Sequence, residues 1–148
     1  MSSGEEPSYE ITLLVRDHCL CLHLQRAARA VARRFDQAFR PVDLTNGQFS
    51  LLMSLNRPQP PSMTDVSRLL AMDRTTLTAN LKPLERRGLV EVASDAVDRR
   101  TRRLSLTAAG RELLAAAMPI WRKTHADIEH LIGEPGADRL RSDLRALS

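Results

Sequence analysis

One run of this sequence, Asp98-Arg99-Arg100-Thr101-Arg102-Arg103, places four guanidinium groups within five positions. Guanidinium is planar and permanently charged, and it bonds phosphates or guanine edges with two parallel N–H groups. In a narrow minor groove it also gains from the enhanced negative potential there. A second stretch, Arg74-Thr75-Thr76-Leu77-Thr78-Ala79-Asn80-Leu81-Lys82, alternates cations and hydroxyls with apolar residues at helical spacing. Leu77, Leu81 and Leu84 define its buried side. Arg74, Thr75, Thr76, Thr78 and Lys82 then fall on exposed or flanking arcs. Arg74 and Lys82 suit bases or phosphates, whereas Thr75 and Thr78 suit base edges.

A third group is Cys19-Leu20-Cys21-Leu22-His23. Residues two apart on a helix point roughly 200° apart, so these three do not converge on one metal. Cys19 and His23, four apart, share a face. Both cysteines fit a packed core or interface as well as a thiol sensor, and free cysteine is commonly buried. Arg16 and Arg26 are candidates to pair a carboxylate ligand, with Phe35, Phe49 and Trp121 as apolar walls at a junction of lobes. Solvated arginines on a helix are the plainer reading. His125 and His130 read as surface residues.

These groups need elements to position them. Tyr9 to Phe39 carries Leu13, Leu14, Leu20, Leu24, Ala27, Ala28, Val31, Phe35 and Phe39, with spacings of three, four and seven dominant, which predicts one long helix. It would span about 45 Å, long enough to call for a partner, and Pro41 ends it. A short helix follows around Gln48 to Asn56. Ser62 and Asp65 make a capping box opening the next helix. Ala71 and Met72 turn, and Asp73 caps Arg74 to Arg87, with a mild distortion expected at Pro83 and Gly88 as terminator. Leu89–Ala93 and Arg102–Leu106 alternate as strands, and residues 94–100 form the polar tip of their hairpin. Arg103 is expected on its outer face, and Asp98 is expected to neutralise a neighbouring arginine and shape the loop. Thr107 caps a second long helix, Ala108 to about Leu131, kinked at Pro119. Gly133, Pro135 and Gly136 interrupt the chain before a last helix over Ala137–Leu147.

The order helix, helix, turn, helix, hairpin is that of a winged helix-turn-helix. Position therefore raises the arginine run above an ordinary charged surface: Arg99, Arg100 and Arg102 stand where a wing lies beside a helix in the major groove. The fold class is mainly α with a small β-hairpin wing. A tail (1–8), a helical dimerisation region (9–40 and 108–148) and a DNA-binding lobe (45–107) make up the chain.

The bulk numbers agree. Lysine plus arginine number 22 against 18 acidic residues, a net charge of +4, and all but Lys82 and Lys123 of the basic residues are arginine. Aromatic residues are scarce at 3%, as suits leucine- and alanine-rich packed helices. No stretch approaches the roughly 18 uncharged apolar residues of a membrane span. The first ten residues are polar and acidic, unlike a secretory leader, which makes the cytoplasm the expected compartment. A glycine-rich phosphate loop, a His-x-x-x-His or Cys-x-x-Cys pair and a nucleophile elbow are all missing, so no enzyme, metal or cofactor is expected. The rival reading is a winged-helix interaction or assembly module without specific DNA binding.

Leu44-Thr45-x-x-Gln48-Phe49, Leu84-Glu85-x-x-Gly88-Leu89-Val90, Asp98-x-Arg100 and Leu104-x-Leu106-Thr107-x-x-Gly110 occur in that order. In them the chain resembles the MarR family of bacterial regulators, from about Leu13 to Leu147. The resemblance implies a homodimer built from the first helix and the last two, bound to a pseudo-palindromic double-stranded operator, most commonly as a repressor. It assigns the Arg74 helix to recognition and Asp98-x-Arg100 to the wing, the arginine reaching the minor groove. It also implies control by a small aromatic or phenolic effector or by thiol oxidation. Pro83 departs from the family pattern, which usually has a helix former there.

Overall fold

A computed structural model describes residues 6–133 and 136–148. Most of the expected tail and Pro135 lie outside them. The elements run α1 (Tyr9–His18), α2 (Leu20–Ala38), a 3-10 turn (Arg40–Val42), α3 (Asn46–Ser54), α4 (Met63–Leu69) and α5 (Arg74–Arg86). The strands β1 (Val90–Ser94) and β2 (Arg102–Leu106) follow, then α6 (Ala108–His130) and α7 (Gly136–Ala146). A mainly helical chain with one hairpin and long terminal helices is thus what forms.

The single long first helix does not. It breaks at Cys19, whose ψ of 111° is extended. Cys19 donates its amide to the Val15 carbonyl at 2.9 Å, closing α1. Its own carbonyl accepts both the His23 amide at 3.1 Å and His23 Nδ1 at 2.8 Å, which starts α2. Neither proline nor glycine is involved. At about 100° per residue, Ile11 and Val15 on an unbroken helix would point roughly opposite to Leu24, Val31 and Phe35. The break re-aims them. The pattern that predicted one helix counted both Leu13 and Leu14, of which only Leu13 is in phase with α2.

Capping residues set the later boundaries. Thr45 and Gln48 close a capping box at α3, and Ser62 and Asp65 close another at α4. Asp73 caps α5 and Thr107 caps α6. Gly88 takes φ +70°, the left-handed conformation that ends α5. Pro83 and Pro119 sit inside continuous helices. Each removes the donor that the carbonyl four residues earlier would use, and those residues, Ala79 and Ala115, are exposed to water.

The core joins the α2 terminus to the central lobe. Phe35 stacks on Phe39 at 5.8 Å between centroids, and Phe39 on Phe49 at 4.8 Å. Leu52, Val66, Leu77, Leu84 and Leu104 are fully enclosed around them. The hairpin pairs Val90 with Leu106 and Val92 with Leu104 in antiparallel register. A third backbone segment touches it: Leu104 donates to the Pro61 carbonyl at 2.9 Å, and Ser62 is bridged to Arg103.

Outside this lobe large apolar residues face solvent: Ile11, Leu14, Val15 and Leu20 near the start, Leu131, Ile132, Leu140, Leu144 and Leu147 near the end. Leu24, Val31, Phe35, Ile128, Leu140 and Leu144 line an apolar groove of about 450 Å³ between α2, α6 and α7. No helix among the described residues is long and apolar enough to cross a membrane.

Candidate nucleic-acid interface

The turn between α4 and α5 is tightly bonded. Ala71 adopts φ 50°, the Met72 amide donates to the Ser67 carbonyl at 2.9 Å, and the Ser67 hydroxyl donates to the Met72 carbonyl. Asp73 then accepts from the Thr76 amide at 2.7 Å and from its hydroxyl at 2.9 Å. Those two bonds, the amide first, hold the Asp73 carboxyl below its usual range. The cap directs the amino-terminal turn of α5 away from the core, because Leu77, Leu81 and Leu84 are buried behind it.

Arg74, Thr75, Thr76, Thr78 and Lys82 are all exposed. Their hydroxyls are not equivalent. Thr76 donates to Asp73, and Thr78 donates to the Arg74 carbonyl at 2.8 Å. Thr78 keeps its methyl and its acceptor lone pairs for an outside group. By helical angle the centre of the exposed face is Thr75, Ala79, Lys82 and Arg86. Ala79 and Arg86 were overlooked in the sequence, although the leucine stripe already placed them opposite the core.

The hairpin packs β1 against this helix and carries Arg102 of β2 to a shared hollow. Arg74, Thr78, Glu85 and Arg102 line one hollow of about 360 Å³, floored by Met63, Leu81 and Val92. Arg99 and Arg100 lie at the tip and are exposed. Among the described residues, Arg74, Lys82, Arg86, Arg99, Arg100 and Arg102 are in no ion pair. Arg74 of the helix and Arg102 of the wing thus share one hollow, with further exposed cations on the same two elements.

Two expectations about the wing need correction. Asp98 bonds no arginine side chain: it accepts from the Arg100 amide and the Thr101 hydroxyl, each at 3.1 Å. It shapes the tip by bonding the backbone. The neutralising carboxylate is Asp95, which accepts from Arg103 Nε at 3.1 Å. Arg103, expected on the outer face, is half-buried, with Pro61 and Ser62 running along that edge.

The candidate sensor residues scatter. Arg16 is paired with Asp17 at 2.7 Å, so its guanidinium is already engaged. Cys19 is half-exposed at the helix break and Cys21 is exposed, its sulfur accepting from Gln25 Nε2 at 3.3 Å. His23 bonds the Cys19 carbonyl and not its thiol. Arg26 stands with His23, Arg29 and Arg33 around an open hollow of about 490 Å³ on α2. Phe49 and Trp121 line an apolar hollow of about 350 Å³ with Met53, Leu69 and Met118. Phe35 lies in the terminal-helix groove instead, since α2 turns it away from Trp121. His125 is not a plain surface residue: it is half-buried, stacks on Trp121 at 4.6 Å and lies 3.3 Å from Glu129.

The model of the MarR family matches residues 42–101. The chain is similar to the Mycobacterium tuberculosis transcriptional regulator MosR in complex with DNA. Identity is 38% and TM-score 0.80, over 88% of this chain and 93% of that one. It is similar to the transcriptional repressor CouR bound to a DNA duplex, with 33% identity and TM-score 0.80 over 90% and 94% of the two chains. Bordetella bronchiseptica BpsR, whose DNA binding is regulated by 6-hydroxynicotinic acid, is 25% identical with TM-score 0.78, over 88% and 98%.

Proposed function

This chain belongs to the MarR family, and from that premise we propose that it is a homodimeric repressor. In this reading it binds a pseudo-palindromic operator and leaves it when a small ligand binds or its thiols are oxidised. DNA-binding transcriptional regulation is the common ground of the similar proteins.

One observation carries the reading: the hollow shared by Arg74 and Thr78 of α5 with Arg102 of the wing. A helix of this kind fits the major groove, about 12 Å wide, while an arginine-tipped hairpin reaches the adjoining minor groove or phosphates. Thr75, Thr78 and Lys82 read bases or position the helix on phosphates. Arg99, Arg100 and Arg102 supply the wing contacts.

Dimerisation is supported by the apolar residues left uncovered on α1 and α7 and by the apolar groove between α2, α6 and α7. A patch of that kind calls for a partner, and a second copy with twofold symmetry matches a palindromic site of half-sites about 34–36 Å apart. Release by a ligand finds support in the apolar hollow between Phe49 and Trp121, where the terminal helix meets the DNA-binding lobe. Release by oxidation finds support in the exposure of Cys21.

The test is binding of the purified protein to the DNA upstream of its own gene across a salt series, reduced and peroxide-treated. A steep salt dependence with sequence preference is expected. Loss of binding with peroxide, restored by thiol, assigns control to Cys19 or Cys21; indifference to peroxide assigns it to a ligand. Uniformly weak, sequence-independent binding at every salt concentration overturns the repressor reading in favour of an interaction module.

A further inference from the structure

Asp95 stands at the root of the wing, and both its carboxylate oxygens are engaged. Oδ1 accepts from Arg103 Nε at 3.1 Å. Oδ2 accepts from the tip amides of Val97 at 3.1 Å and Asp98 at 2.9 Å. Its backbone amide donates to the Thr101 carbonyl at 2.8 Å, closing the loop from the other side. Arg103 continues the connection, since its backbone is bridged to Ser62, the cap of α4. Ser62 is in turn held by Asp65, which feels the charge of Arg103 and Arg57. One chain of contacts thus runs from the wing tip, through Asp95 and Arg103, to the start of the helix-turn-helix.

We propose that Asp95 is the positioning residue of the wing, gripping the tip amides and Arg103 together so that Arg99, Arg100 and Arg102 stand at a set place relative to α5. The inference rests on the DNA-binding reading above. A two-stranded hairpin is marginal by itself, and side chains that are ordered only on binding reduce affinity. Asp95 also carries a negative charge in the same hairpin as Arg99, Arg100 and Arg102. Charge alone predicts that its removal tightens DNA binding, whereas positioning predicts the opposite. The sign of the effect therefore separates the two.

Operator affinity is measured at one salt concentration for Asp95→Ala, Asp95→Asn, Arg103→Gln and the double variant Asp95→Asn/Arg103→Gln, with thermal melting and dimer mass as controls of folding. Amide exchange of Val97, Asp98 and Arg100 is followed without DNA. Asp95→Ala is expected to lose roughly tenfold in affinity, the scale of a few side chains newly ordered on binding, and to exchange those amides faster. Asp95→Asn, which keeps an acceptor for the tip, recovers part of the loss. The double variant binds no worse than the worse of its two single variants, as expected for one shared contact.

Equal or tighter binding by Asp95→Ala overturns the proposal, and so does strict additivity of the two single changes. If Asp95→Ala melts early, Asp95→Asn and Arg103→Gln decide by the same affinity criterion. If the unaltered protein binds no operator, the DNA-binding reading fails separately. The exchange measurement then decides alone: unchanged tip amides in Asp95→Ala overturn the positioning role, and faster exchange supports it.

Discussion

Gly110 lies so close to Leu89 that a Cβ at position 110 would stand 2.2 Å from the Leu89 carbonyl oxygen. That oxygen also accepts the Thr107 amide at 3.1 Å, while the Thr107 hydroxyl donates to the Gly88 carbonyl. The first turn of α6 is thus seated on the root of β1, and only glycine permits the approach. Gly110→Ala is expected to destabilise the fold by about 1–3 kcal/mol, as overpacking does. Urea unfolding measures it, and an unchanged midpoint would show that the seat is looser than this geometry.

Leu77 is fully enclosed on the inner side of α5. Leu77→Ala removes packing beneath the candidate reading helix and is expected to cost about 2–5 kcal/mol. Chemical denaturation reports the loss. Operator affinity should fall with it wherever the variant is partly unfolded, and recover on cooling toward the temperature of maximum stability.

Arg100 is exposed at the wing tip and its amide is held by Asp98. Arg100→Ala should weaken operator binding and lower the slope of log affinity against log salt by about one. Thr75→Ala, on the centre line of the exposed face of α5, should relax base preference with little change in that slope. Binding to randomised sites, sequenced at two salt concentrations, separates the two effects. A wing arginine whose loss moves neither affinity nor slope would not touch the nucleic acid.

Asp65, Asp73 and Asp95 all hold carboxyls below the usual range. The first cause is a backbone amide in each case: that of Ser62, Thr76 and Asp98 respectively. A depressed carboxyl stabilises the fold above its unfolded value, about 3.9 for aspartate. That contribution is lost as pH falls through the folded value. Stability should therefore be flat above about pH 5 and decline toward lower pH. Asp73→Asn should flatten part of the decline, and melting curves from pH 6 down to pH 2 measure it. An identical pH profile for that variant would remove the cap from the account.

Much of the molecule was legible in the residues. Ser62 with Asp65, Asp73, Gly88 and Thr107 mark boundaries by local chemistry, since a cap needs only its own helix turn. The alternation of Leu104 and Leu106 marks the second strand, whereas the first was read from Leu89 and Val92 and pairs instead through Val90 and Val92; the leucines of α5 mark which of its faces is free. The exposed cations at Arg74, Lys82, Arg99, Arg100 and Arg102 follow from those short-range rules, as does their ordering along the chain.

What the sequence alone could not decide depends on contacts distant along the chain. The break at Cys19 carries no proline or glycine, and it re-aims an apolar segment toward surfaces that belong to other elements. Arg103 looked like its neighbours until Pro61 and Ser62 came to lie along its strand, turning it from a free cation into a tie between wing and α4. Asp95 and Asp98 are the same residue type in one loop and both accept tip amides, yet only Asp95 also meets an arginine side chain, that of Arg103. Phe35 and Phe49 both face a core in the pattern, but the packing of α6 sends them to different hollows. Periodicity reports which side of an element is buried, whereas only the assembled chain determines what it is buried against.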